Sequence, residues 1–106
     1  MGTFDDREKG FEGKFAHDQE VEFRVIARRN RLLGLWAGGQ MGMQGADAEA
    51  YAREVVEADF VEKGEEDVFR KVWEDLQARK SSVSEHRVRR QMADLLDEAR
   101  EQVRKE

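Results

Sequence analysis

No proline interrupts this chain, and along its charged stretches apolar residues recur every three or four positions. That spacing is the repeat of one helix face, and an unbroken supply of backbone N–H donors lets each helix run until another signal stops it. Charged residues make up 41% of the 106, far above the usual quarter, so most of the charge must lie on solvated helix faces laced with i,i+4 pairs. One all-α domain is the expectation at this length. A formal net charge of −5 disfavours a generic binder of nucleic acid or anionic membrane. The lack of cysteine removes disulfide frameworks, thiolate metal sites and cysteine nucleophiles. Charge begins at Asp5, which argues against a signal peptide, and no run approaches the ~20 apolar residues of a membrane span. A soluble, cytoplasmic protein without direct membrane insertion is expected.

The periodic segments number four. The first runs from His17 to about Met43, with Val21, Val25, Leu32 and Trp36 on one side and Ile26, Leu33 and Leu35 widening the stripe. Gly34, Gly38, Gly39 and Gly42 weaken its second half by propensity, although Gly34 could permit the close approach of another helix. The Gly42–Gly45 neighbourhood reads as its stop. A second helix opens at Ala46-Asp47, with Asp47 as the better N-cap. Its core stripe is read as Ala48, Ala52, Val56 and Phe60, flanked by Tyr51 and Val55, and Gly64 as the residue that ends it. Glu65, Glu66 and Asp67 then suit the positive end of a third helix, whose Val68, Phe69, Val72, Trp73 and Leu76 face inward. Ser82 with Glu85 fits a capping box for the fourth helix, and Ser84 is a competing N-cap. That helix carries Val88, Met92, Leu95, Leu96, Ala99 and Val103 on one face. Four such helices on short loops predict an antiparallel four-helix bundle.

Residues 1–17 stand apart. Phe4, Phe11 and Phe15 fall at i, i+7 and i+11, one face of any helix that forms, yet Gly10 and Gly13 weaken that helix by about 1 kcal/mol each. A segment this short is marginal alone. It is expected to be mobile when free and to become an amphipathic helix in a partner's groove, with 18–106 as the bundle. The simpler alternative is a frayed tail whose phenylalanines fold back onto the domain.

Little in the chain points to catalysis. Neither histidine completes the Glu-x-x-His pair of a di-iron bundle, since position i−3 is Lys14 for His17 and Val83 for His86. No phosphate loop, dinucleotide fingerprint or nucleophile elbow occurs. The acidic triplet at 65–67 is better explained by the helix dipole than by a metal. Arg28, Arg29 and Arg31 could form a phosphate-binding or acidic-partner face. An exposed helix flank is the simpler reading, with Glu20 and Glu22 as local partners for Arg24. An adapter or inhibitor without cofactor or metal is the expected class.

Particular strings sharpen that class. Thr3-Phe4-Asp5-Asp6-Arg7-Glu8, Lys14-Phe15-Ala16-His17-Asp18, Ala27-Arg28-Arg29-Asn30 and Leu32-Leu33-Gly34-Leu35-Trp36-Ala37 stand out. With Tyr51-Ala52, Val55-Val56, Asp59-Phe60 and Glu66-Asp67-Val68, they closely resemble the zeta-subunit family of ATPase inhibitors from alphaproteobacterial F-type ATP synthases. The resemblance runs through Val72 and more loosely through the fourth helix. It implies a four-helix bundle with a mobile inhibitory segment, corresponding here to Thr3 through about Asp18. In the family, that segment enters the catalytic head of the synthase at an alpha/beta interface beside the gamma rotor, becomes helical and blocks rotation in the hydrolytic direction. The protein is then a monomer when free and peripheral to the inner membrane when bound. Within the segment Phe4, Asp5, Asp6, Arg7, Phe11, Lys14, Phe15 and His17 are the candidate contacts. The three phenylalanines would be apolar anchors, while Arg7 and Lys14 would meet acidic groups. Gly10 and Gly13 together raise the cost of ordering by up to about 2 kcal/mol, roughly 30-fold in affinity. A diverged regulatory bundle that binds a nucleotide, another small ligand or another protein is the alternative.

Overall fold

A computed structural model describes the backbone of residues 2–106 and the side chains of 17–106. Among the described residues there are four helices and no strand: α1 (Gly2–Gln40), α2 (Ala46–Val61), α3 (Glu65–Ala78) and α4 (Glu85–Arg104). They pack as an antiparallel bundle. Gly34 and Phe23 of α1 meet Ala52 and Phe60 of α2, Tyr51 meets Asp75 of α3, and Glu22 meets Arg100 of α4. Helix α1 passes position 17 without interruption. The expectation of mobility at 1–17 lies outside the described residues.

The helix ends follow local chemistry. Helix α1 stops in a Schellman turn: the Met43 N–H reaches the Gly38 carbonyl at 2.8 Å, the Gly42 N–H reaches Gly39, and Gly42 supplies the left-handed φ of 82°. Helix α3 stops in the same motif, with Ser81 N–H on Leu76 and Lys80 N–H on Gln77, but here Lys80 takes the left-handed position at φ 57°. A Cβ is unfavourable there. Ser84 caps α4, its Oγ accepting from the Arg87 N–H at 3.1 Å, which decides between the two serines. Two expected boundaries move. Gly45, not Asp47, precedes α2, because the Asp47 N–H already bonds to Gln44 and places that aspartate inside the first turn. Helix α2 ends at Val61, where Glu62 turns extended, so Gly64 serves as the N-cap of α3 instead of terminating α2.

The main core joins Leu33 and Ala37 of α1 to Tyr51 and Val55 of α2, Val68, Phe69, Val72 and Leu76 of α3, and Val88, Met92 and Leu95 of α4. Trp73 is only partly buried at its edge. The stripe read for α2 is rotated. Tyr51, Ala52 and Val55 are buried, whereas Ala48 and Val56 are intermediate and Phe60 is 54% exposed. The cause is the contact of α1 with α2: a Cβ on Gly34 would lie 2.6 Å from the Ala52 Cα. Helix axes that close accept only hydrogen and methyl at the crossing, so Ala52 must face Gly34, and Tyr51 and Val55 follow it inward.

Gly34→Ala therefore sets a methyl against backbone, and the expected loss is about 1–3 kcal/mol despite alanine's better helix propensity. Gly39→Ala, which meets nothing within 4 Å, is expected to gain up to about 1 kcal/mol. Lys80→Gly should also stabilise, by roughly 0.5–1 kcal/mol, by relieving the left-handed residue. Urea denaturation of the three variants checks the order.

Candidate interaction site at the root of the first helix

Beyond the main core, residues 21–31 of α1 are held from both sides. On one side Val25 packs with Ala99 and Val103 of α4, flanked by Val21, Leu32 and Leu96, in a small second core. Around it Arg100 bonds both carboxylate oxygens of Glu22 at 2.8 and 2.9 Å. Arg24 and Arg28 converge on Glu106, and Arg28 also donates to Gln102 at 3.0 Å. On the other side the Phe23 and Phe60 rings meet at 5.5 Å between centroids. The base of the N-terminal helix is thus wedged between α2 and α4.

One turn further, charge goes inside. Arg29 is 1% exposed; its Nε donates to Asn30 Oδ1 at 2.9 Å and its guanidinium pairs with Glu65 at 2.8 Å. Asn30, equally buried, donates to Asp59 at 3.1 Å, and Asp59 accepts from the Gly64 N–H at 3.4 Å. This network ties α1 to the α2–α3 connection, and among the described residues it leaves no buried side-chain polar atom unpaired.

The expected arginine face is consequently divided. Arg29 is buried, Arg28 turns to α4, and Arg31 pairs with Glu49 of α2 at 3.0 Å. The expected local partner of Arg24 also changes, since Glu22 is occupied by Arg100. The acidic triplet is spread over three arginines: Glu65 on Arg29, Glu66 on Arg89 and Asp67 on Arg70. Among the described residues no group of three potential metal ligands forms. Of the N-terminal candidates, the side chains of Phe4, Asp5, Asp6, Arg7, Phe11, Lys14 and Phe15 lie outside the described residues; His17 is exposed. Spacing alone leaves Phe23 out of the site and puts Phe60 in the core, whereas both rings are about half exposed and in contact. The available signal was that Phe23 lies off the Val21–Val25–Leu32–Trp36 stripe.

Arginine hydrogen bonds hold several carboxylates below their usual range: Glu22 through Arg100, Glu66 through Arg89, and Glu106 through Arg28 and Arg24. Tyr51 is shifted the other way, chiefly by burial and then by its hydrogen bond to Asp75.

The sequence model of the ATPase inhibitor subunit zeta family matches residues 1–102. The chain belongs to this family. A solution NMR structure of a protein 44% identical in sequence superposes with a TM-score of 0.71, over 80% of this chain and 96% of that one. No curated protein matches the chain. Membership in the zeta family supplies the coarse function: a regulatory, inhibitory subunit that acts on an ATP synthase. No described helix is long and apolar enough to cross a membrane.

Removing Arg29 leaves a cavity and strips Asn30 Oδ1 of its donor, so Arg29→Ala should cost about 2–4 kcal/mol. Arg31→Ala, which loses an exposed pair, should cost less than about 1 kcal/mol. Chemical denaturation of both variants tests this contrast. The depressed carboxylates fix the pH response. Their contribution is complete above the unfolded value of 4.5 and is lost as pH falls through the lower folded values. The melting temperature should therefore be nearly flat from pH 6 to 8 and fall below about pH 4.5.

Proposed function

We propose that residues 1–17 are the inhibitory element of this zeta subunit and that 18–106 form the bundle that presents it. The segment enters the catalytic head of the F-type ATP synthase as a helix at an alpha/beta interface beside gamma and obstructs rotation in the hydrolytic direction. Phe4, Phe11 and Phe15 anchor it, Arg7 and Lys14 meet acidic groups, and Asp5, Asp6 and His17 complete the contact. The single observation that carries this reading is the wedged root. A helix whose base is packed between α2 and α4 can transmit force, so an inserted N-terminal segment would resist a turning rotor instead of swivelling away. Coupled folding and binding suits the sequence, because buried aromatics supply most of the binding energy while ordering consumes a few kcal/mol of it. Bound in this way, the protein is peripheral to the membrane on its cytoplasmic side.

A second reading has one observation in its favour. Arg24, Arg28, Arg31 and Arg53 rim a groove of about 540 Å³ floored by Ala27, Ala52 and Val56, a setting suited to a phosphate-bearing ligand such as a nucleotide. Three of those arginines already meet carboxylates, so a phosphate would have to displace Glu106 and Glu49. That competition favours the first reading. Titration with ATP should leave the amide signals of these four arginines unmoved if it is correct.

The direct test is ATP hydrolysis by the cognate synthase head with increasing full-length protein or protein lacking residues 1–18. Full-length protein should inhibit. The truncated form should retain its cooperative unfolding and lose inhibition by at least about 100-fold, as expected when the three aromatic anchors are removed. Equal inhibition by both forms would rule out the N-terminal mechanism.

A further inference from the structure

Among the described residues most arginines and lysines meet a carboxylate, as Arg24, Arg31, Lys71 and Arg100 do. Arg79, Lys80 and Arg87 are exposed and meet none there. Arg90 reaches only Asp94, at 4.0 Å. These four lie at the turn from α3 to α4, where residues 79–90 hold five cationic side chains and one carboxylate, Glu85. The fifth cation, Arg89, is engaged: its guanidinium lies 3.8 Å from the Phe69 ring centre and pairs with Glu66 and Glu85. Arg53 and Lys63 also lack a carboxylate partner among the described residues, but each stands singly. In a chain of formal net charge −5, the α3–α4 turn is a basic corner on an acidic body.

The backbone singles out Lys80. Among the described residues the left-handed positions are Gly42, Gly45, Gly64 and Lys80, so Lys80 alone carries a side chain there. Glycine would make the same Schellman turn without the strain. A side chain kept against that cost points to a use for the side chain, and what Lys80 offers is an exposed, unpaired ammonium. Beyond it, residues 81–84 lie outside any helix, and Ser84, Arg87 and Arg90 line a depression of about 450 Å³ on the first turns of α4. A guanidinium there can pair with a carboxylate through two N–H groups at once.

We infer that this corner docks an acidic polypeptide segment, whose carboxylates meet Lys80, Arg87 and Arg90. Charge complementarity selects the partner, because the positive groups here are not cancelled by their neighbours. A small, concave positive patch suits a short run of carboxylates. An anionic membrane or a nucleic acid presents a broad charged face instead. Either would also come up against the acidic α2–α3 face, where Glu57, Glu62 and Glu74 line the adjoining groove. Glu74 precedes Arg79 by about 7–8 Å of helix, within the Debye length of about 8 Å at physiological salt. A short segment engages the corner without meeting that repulsion. By the antiparallel topology the corner lies beside the α1–α2 turn, at the end of the bundle away from residues 17–31, so this contact does not rest on the inhibitory reading above.

The test titrates isotope-labelled full chain with an oligo-glutamate peptide at physiological ionic strength. Amide signals of residues 79–90 should shift, and those of Arg53 and Lys63 should stay in place. Lys80→Gly with Arg87→Gln should weaken binding by about tenfold, the loss of two exposed charge pairs. Lys80→Gly alone should bind more weakly than the parent while resisting urea better, a pairing of effects that a purely structural lysine does not give. Lys63→Gln, which removes one charge elsewhere, should bind like the parent. No shift at 79–90, equal shifts at Arg53 and Lys63, or parent-like binding by the double variant would overturn the docking site. Phosphatidylglycerol vesicles and a uridine homopolymer complete the comparison. Tighter binding of the parent to either, lost in the double variant, would overturn the polypeptide assignment and give the corner to phosphate groups.

Discussion

The architecture depends on one close contact, the crossing of α1 and α2 at Gly34 and Ala52. With room there for no more than hydrogen against backbone, the register of the two helices is set. Rotating α2 by one position would drive Tyr51 or Arg53 into the crossing. The register that remains places Tyr51 and Val55 in the main core and turns Phe60 outward, where it meets Phe23. Both the core and the exposed aromatic pair thus descend from a single steric constraint. The low helix propensity of Gly34 is the energetic cost of that constraint, and close packing of two long helices offsets it.

Charge is used in two distinct ways. At the surface, pairs such as Arg31–Glu49 and Arg89–Glu66 lie in water and contribute little apiece. Inside, Arg29 and Asn30 are nearly inaccessible and bond to Glu65 and Asp59, so the α2–α3 connection is tied to the middle of α1. Losing one member of such a network leaves another polar group stranded, which makes the network demanding about geometry. The carboxylates of Asp59 and Glu65 are pinned close to Phe60, so the buried network also sets the charge beside the exposed aromatic pair.

These features converge on the stretch between residue 17 and residue 31. Below it the main core closes, and above it α1 extends as the segment assigned here to inhibition. At this junction α2 contributes an aromatic, α4 contributes apolar residues, and the C-terminal Glu106 draws in two arginines. An inhibitor that must resist a rotor needs a stiff connection between what it inserts and what it leaves outside. The packing at 21–31 supplies that stiffness.

Taken alone, the sequence determined a great deal. Periodicity without proline settled four helices and most of the inward positions on α3 and α4, because amphipathic spacing is a local property. Gly42 as a stop, Gly34 as a point of close approach and the family likeness were legible for the same reason: each resides in a few adjacent residues. What only the tertiary structure decided involves partners distant in the chain. Phe60 looked like core because its spacing from Ala52 and Val56 is helical, but the crossing at Gly34 rotated it outward. Arg29 looked like surface because arginines usually are, but Glu65 and Asn30 gave its charge a place inside. Phe23 gained significance only when α2 brought Phe60 beside it. Helix faces are written in local spacing; which face is buried depends on the neighbour that packs against it.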